Sequence, residues 1–297
     1  MSLLNPSNGW WTALAVLVAA LLVLVTFVKY TRLWLVLLIG LVPVLGVWTF
    51  VKAPEWGLWF PEDVSTHGKG MDQLFYMIMW MVTFTFVLTE VALVWCVFRY
   101  HEKVPGKSLF THGSHKLEMI WTAIPAVALL VIAFAQIGTF KRIKFENHWP
   151  TGGPYSAQKP IAHVIAYQFA WLMRYPDENG SFDSVDVVES PFDFVVPVDT
   201  DIMFHLKSRD VLHSFFLPNL RLKQDAVPGM TIPMWFKATK VGEYDLICAE
   251  LCGWGHYKMA GKLIVKSKAD YDAWLAQKRA ELKSNGKADL SNMEEGQ

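Results

Sequence analysis

Two stretches constrain this chain more than anything else in it: LFYMIMWMVTFTFVLTEVALVWCVF at 74–98 and LEMIWTAIPAVALLVIAFAQIGTF at 117–140. Each is long enough to cross a bilayer, and each carries a single acid, Glu90 or Glu118. A segment of about 20 apolar residues in hydrocarbon has to satisfy its own backbone, so both read as helices. Two further runs precede them, WTALAVLVAALLVLVTFV at 11–28 and LWLVLLIGLVPVLGVWTFV at 33–51, the second with Pro43 inside it. A cleaved signal peptide is the alternative for the first run. No Lys or Arg precedes it and a second span follows almost at once, so it reads as an uncleaved span.

Four spans are therefore predicted, and loop charge orients them. Arg99, Lys103, Lys107 and Lys116 lie in the 99–116 loop, and Lys29 and Arg32 in the 29–32 turn. Excess Lys and Arg mark the cytoplasmic side, which places the 52–73 loop and everything after 140 outside. A carboxyl at membrane depth is costly, so mid-span Glu90 is a functional candidate, and Glu118, at a span end, less distinctively so. Cys96, in an apolar run, reads as a buried inert thiol. The net charge of zero gives no reason to expect a nucleic-acid partner.

The outer part reads as all-β. Short apolar, β-branched runs recur at 162–173, 185–189, 192–198, 202–207, 231–238, 243–248 and 261–266, with turn residues between them. That spacing predicts a sandwich or barrel. A closing helix follows, with Ser267 as N-cap, Asn285-Gly286 as its stop, and Tyr271, Trp274 and Leu275 facing inward. The predicted organisation is two additional spans over 1–60, a membrane hairpin over 61–144, an external domain over 145–283 and a flexible tail over 284–297.

One loop of the external domain, ICAELCGWGHYKM at 247–259, holds Cys248, Glu250, Cys252, His256 and Met259. A Cys248–Cys252 disulfide would close a very small loop and leave His256 and Met259 unexplained. Zinc has little use for a thioether. Thiolate, imidazole and thioether together favour copper. A strand running into a loop with Cys, His and Met a few residues apart is how a cupredoxin builds its metal site, and two thiolates suggest two coppers bridged by sulfur. A second imidazole is needed, and His148, His163, His205 and His213 are the candidates that position leaves open.

DVLHSFFLPNLRLKQDAVPGM at 210–230, followed by CAELCGWGHYKM at 248–259, resembles subunit II of the haem–copper cytochrome c oxidases. HKLEMIWTAIP at 115–125 is similar to that subunit's second helix, and the resemblance covers roughly 70 to 275. It implies a cupredoxin-like Greek-key domain holding the binuclear copper centre CuA. His213 and His256 would each ligate one copper, Cys248 and Cys252 would bridge them, and Met259 and the Glu250 carbonyl would complete the set. It further implies a magnesium ion held in part by the Glu250 side chain at the boundary with subunit I, and a proton-path entrance at Glu118. Asp225 would lie in the segment facing subunit I. The implied partners are subunit I and the other oxidase subunits, cytochrome c and the lipid bilayer. The implied location is a bacterial inner membrane with the copper domain on the periplasmic side. Electrons would pass from cytochrome c to CuA and on to haem, where oxygen reduction is coupled to proton pumping.

The chain departs from that pattern in places. Family members carry Trp directly after the Gln of an aromatic stretch, where the electron arrives; here YQFAWLMRYP puts Phe169 there, with Trp171 two residues on. Pro228-Gly229-Met230 stands where an Arg usually follows the Gly. With the extra spans, these changes suggest a divergent branch. From 175 to 206 there are acids and no Lys or Arg, so Asp177, Glu178, Asp183 and Asp186 are candidates for docking a basic donor. Two other readings compete. A Sco-like copper chaperone or thiol reductant would place its cysteines early, ahead of the histidine, and a quinol-oxidase subunit II would lack the copper ligands.

Overall fold

The computed structural model describes residues 31–100, 105–107, 110 and 112–294. The first predicted span, 11–28, lies outside them. The second lies within helix α1, Thr31–Lys52, and the third and fourth within α2, Gly68–Arg99, and α3, His115–Lys144. Among the described residues, α2 and α3 are the helices long and apolar enough to cross a membrane. Cys96, expected to be buried, is exposed on α2. A helix has more outward surface than one chain can cover, and in lipid such a face needs no protein cover.

Phe60–Tyr76 and Lys116 onward form one compact unit. Within it the chain makes two five-stranded sheets. The first has the order β3-β2-β1-β5-β8, from Val188–Pro191, Ala170–Tyr175, Ala162–Tyr167, Ile202–Ser208 and Ile232–Phe236. The second has the order β4-β10-β9-β6-β7, from Asp193–Pro197, Ala260–Lys266, Gly242–Cys248, His213–Leu217 and Leu222–Ala226. Each sheet has one parallel pair, β1 with β5 and β4 with β10, among antiparallel neighbours. Alternate residues along β1 are buried, the period-2 pattern of a strand with one face on a core. Trp171, Phe194, Phe204, Phe215 and Phe236 meet between the sheets with edge-on and tilted rings. Burying each such ring contributes about 2–3 kcal/mol before entropy is counted.

The run 162–173, expected as one strand, folds instead as the hairpin β1–β2, which turns at Gln168-Phe169. No Gly, Pro or Asn marks that turn. Its partners are tertiary: the Gln168 N–H donates to Asp210 at 2.7 Å, and the Gln168 side-chain amide donates to the Cys252 carbonyl at 2.6 Å. β6 and β7 form where the apolar pattern predicts no strand.

The closing helix α4, Lys268–Glu294, starts at the expected cap. The Asp270 N–H donates to Ser267 Oγ at 3.1 Å, and Tyr271 is buried with Trp274 and Leu275 packed beside the core. It does not stop at Asn285-Gly286 but runs on to Glu294. A glycine in a helix costs only about 1 kcal/mol relative to alanine, which need not end one that continues into Lys287 and Ala288.

Arg221 ties the approach to α2 to the sandwich. Its guanidinium donates to both Asp72 carboxylate oxygens, at 2.8 and 3.1 Å, and to the Pro61 carbonyl, while lying over the Phe60 ring.

Candidate metal centre

Three strands bring the donor atoms together. His213 opens β6, Cys248 closes β9, and Met259 directly precedes β10. The loop 249–259 is closed at its base by backbone hydrogen bonds, from Ala249 to the Ser214 carbonyl at 3.0 Å and from Cys248 to the Met259 carbonyl at 3.1 Å. Pairing of Phe215 with Cys248 sets the register that puts His213 beside the loop.

The geometry is that of a cluster of soft donors. Cys248 Sγ and Cys252 Sγ are free thiols 3.9 Å apart. His213 Nδ1 stands 4.0 Å from Cys248 Sγ, and the Glu250 carbonyl oxygen 3.2 Å from it. His256 Nδ1 stands 3.6 Å and Met259 Sδ 3.7 Å from Cys252 Sγ. Donors that share a metal at bond lengths of about 2.0–2.3 Å lie at separations of this size. His213 is fully buried, and Cys248, Cys252 and Met259 are buried as well, so a metal here would be shielded from water. Burial and the adjoining Cys248 push the Cys252 thiol up to about 11, so a metal must displace its proton to bind.

Asp210, which the sequence reading passed over, orients this set. Its Oδ1 lies 2.8 Å from His213 Nε2, which leaves Nδ1 turned to the sulfurs. Burial works against the Asp210 charge, but hydrogen bonds from His213 and from the Gln168 and Val211 N–H groups outweigh it and hold the carboxyl below its ordinary range. An imidazole with its outer nitrogen on a carboxylate is the usual support of a metal ligand. The spacing Asp-x-x-His was the available signal. Asp225 accepts from Ser214 Oγ at 2.7 Å, beside His213.

The other candidates are spread out. Trp171 is fully buried, 6.3 Å ring to ring from His213, so no docked partner can touch it. Phe169 is half-buried and lies on the metal loop, where Cβ atoms on Gly253 and Gly255 would stand 3.1 and 2.5 Å from its ring. Glu118 sits exposed in the first turn of α3, and Glu90 is half-buried on α2. The acids 177–186 follow the end of β2, whose opposite end meets the metal loop through Gln168. A six-residue strand separates them, roughly 20 Å at about 3.3 Å per residue. The Asp177 carboxylate is taken up by its own turn, accepting from the Ser181 and Asn179 N–H groups, and Glu178 pairs with Lys283 at 2.9 Å.

A two-sheet sandwich with soft donors gathered in one loop, in a chain that also has helices long and apolar enough to cross a membrane, defines a membrane protein with a cupredoxin-like domain. Residues 161–267 match the family described as cytochrome C oxidase subunit II, periplasmic domain, and residues 53–138 match its transmembrane domain. The cytochrome c oxidase subunit 2 of Thermostichus vulcanus is 30% identical over 266 residues, covering 74% of this chain and 78% of that one. A probable cytochrome c oxidase subunit 2 of Rickettsia bellii is 30% identical over 258 residues, covering 81% of this chain and 91% of that one. The crystal structure of the periplasmic domain of subunit II of cytochrome oxidase (CoxB) of Bradyrhizobium japonicum aligns with a TM-score of 0.37 at 27% identity, covering 41% of this chain and 94% of that one. This chain belongs to the cytochrome c oxidase subunit II family, and so to an oxidoreductase complex of the respiratory chain.

Proposed function

We propose that this chain is the electron-input subunit of a terminal oxidase, with a binuclear CuA centre held by His213, Cys248, Glu250 through its carbonyl, Cys252, His256 and Met259. The observation that carries this reading is the convergence of two thiols, two imidazole Nδ1 atoms, a thioether and a carbonyl in one cluster, with both thiols, the thioether and His213 buried. When bound, the copper pair supplies a one-electron relay from cytochrome c towards haem in subunit I. The protein's own part is to hold the donors still. Asp210 fixes the His213 ring, Gln168 pins the loop through the Cys252 carbonyl, and the strand pairings fix the loop's ends. A frame set this firmly leaves the donors little room to move when charge at the centre changes, which favours fast electron transfer. Sco-like copper handling is not favoured, because its cysteines would stand ahead of the histidine, away from an all-β site.

We place 11–28 and 33–51 as two additional spans before the hairpin, the sandwich on the periplasmic side of a bacterial inner membrane, subunit I against the α2–α3 pair, Glu250 at a shared magnesium ion, and Glu118 at a proton-path mouth.

The test is metal loading of the purified full-length chain in detergent. Two coppers per chain are expected, with an electron paramagnetic resonance pattern of one electron shared over two copper nuclei. One copper per chain with a blue-copper spectrum refutes the assignment. In the same assay Asp210→Asn is expected to weaken copper binding about 10–100-fold while leaving the stoichiometry at two, the usual loss when the carboxylate behind a metal-binding histidine is removed. Unchanged affinity would show that the His213 ring is held without it.

A further inference from the structure

The donors of the metal loop are closed in by the loop itself. His213 is fully buried and Cys248, Cys252 and Met259 are buried, while the His256 side chain is partly exposed. A metal ion entering or leaving therefore meets His256 first, and it reaches the sulfurs only when the loop lifts. Such a local opening is governed by the contacts that hold the segment down.

From Gly253 to Met259 the loop is a unit of its own. The N–H groups of His256, Lys258 and Met259 donate to the carbonyls of Gly253, Gly255 and His256, at 3.1, 3.0 and 3.1 Å. Over the stretch 250–258, apart from the donor cluster, one hydrogen bond among the described residues arrives from elsewhere in the chain. It is the bond from the Gln168 side chain to the Cys252 carbonyl, at 2.6 Å. Beside it, the Phe169 ring lies against the loop's backbone. A Cβ on Gly255 would stand 2.5 Å from Phe169 Cδ2 and 2.6 Å from Cγ, and a Cβ on Gly253 2.8 Å from Gln168 Nε2 and 3.1 Å from Phe169 Cε1.

Gly253 also has a φ of 134°, which favours glycine by itself. Gly255, with φ −91°, has no such backbone need, so the close ring is what calls for a missing side chain there. The Phe169 side chain has no polar atom. Its hold is apolar contact, which breaks and re-forms without leaving a donor or acceptor unpaired.

We propose that Gln168 and Phe169 form a latch over the metal loop, and that lifting of the loop off the Phe169 ring admits and releases the metal. The metal's identity rests on the copper reading above, whereas the latch belongs to the metal-free chain as well.

The test is the rate at which iodoacetamide alkylates Cys248 and Cys252 in the reduced, metal-free, full-length chain in detergent, read peptide by peptide by mass spectrometry. A buried thiol reacts through the open form, so the rate reports how often the loop lifts. Alkylation is measured well below the melting point of each variant, so that global unfolding does not supply the open form. Phe169→Ala is expected to quicken alkylation about 10-fold, equivalent to about 1.4 kcal/mol of lost contact. Phe169→Leu, which keeps part of the bulk, is expected to fall between that variant and the unaltered chain. Gly255→Ala is expected to quicken alkylation by displacing the ring, and to add nothing in the Phe169→Ala background, where its Cβ has room. Such non-additivity marks residues that act through one contact. In Phe169→Ala, copper loading and copper loss to a chelator are expected to quicken by the same factor, because the latch acts on the path between the two states. Alkylation unchanged by Phe169→Ala overturns the proposal, and so do effects of the two substitutions that multiply. Loading and loss rates that change by different factors overturn it as well, since the ring would then shape the site rather than its opening. Fewer than two coppers in the unaltered chain refutes the copper reading alone, and alkylation still judges the latch.

Discussion

Cys252→Ser is expected to reduce the copper content of the full-length chain from two per chain to one at most, and to abolish the shared-electron signal. Cys252 Sγ is the centre of the cluster, with Cys248 Sγ, His256 Nδ1 and Met259 Sδ all within 3.9 Å of it. A serine hydroxyl at that point is a hard donor that stays protonated near neutral pH, so it would be a poor substitute for a thiolate in holding copper. The fold is expected to survive, because the change is one atom in size and the loop ends are held by backbone bonds. Met259→Leu makes the contrast. Its thioether would be the weakest of the proposed donors, so both coppers are expected to remain while the reduction potential rises, since the oxidised state would lose an electron-rich ligand. Metal analysis, paramagnetic resonance and potentiometry on the two variants check this. A Cys252→Ser chain that retains two coppers would mean that the sulfurs do not bridge.

The contrast between those two residues also shows why the donor set could be read from the sequence. Five of the six proposed ligands lie within twelve residues, Cys248 to Met259, so two thiols, an imidazole and a thioether in one loop pointed to copper, while the carbonyl of Glu250 came only with the family resemblance. His213 is 35 residues earlier and is brought in by pairing of β6 with β9, which no local pattern announces. It was found through a family resemblance, and the geometric reason came only with the fold. Strands such as 202–208 and 260–266 were legible because their apolar residues alternate or cluster. HSFFL and LKQDA, β6 and β7, were not: four of five β6 residues are buried, and β7 is mostly polar. Gln168 was illegible for another reason: it acts through a loop carbonyl 84 residues away, which spacing along the chain does not record. Asp210 left a trace only in its spacing to His213, too common a pattern to single out.

Gly261→Ala is expected to damage both the fold and the metal centre, although Gly261 offers no donor atom. A Cβ at this position would stand 2.1 Å from the Phe192 carbonyl oxygen, a backbone atom that cannot rotate aside. Phe192 is where the chain passes from β3 in one sheet to β4 in the other. Its N–H donates to Trp171 on the first sheet, and its carbonyl accepts from Lys262 on the second, at 2.8 and 2.9 Å. Its own φ of 67° is in the left-handed region, so the crossing has little freedom to yield. Relief therefore has to come from β10, which must move away from β4. Met259 sits two residues before Gly261, and its carbonyl holds the Cys248 N–H, so that movement loosens the loop's base. The cost is expected to be about 3 kcal/mol, the upper range for forcing an atom into a packed interior. For a domain of this size that is roughly a 10 °C fall in melting temperature. Gly153→Ala is the control, since its Cβ would meet only the Asp201 side chain, at an ordinary 3.7 Å or more. Thermal melting of the two variants beside the unaltered chain, followed by copper loading of each, checks the coupling. Gly261→Ala with unchanged melting would mean that β10 can shift freely. A lowered melting point with full copper loading at unchanged affinity would mean that the strand's position and the loop's are independent.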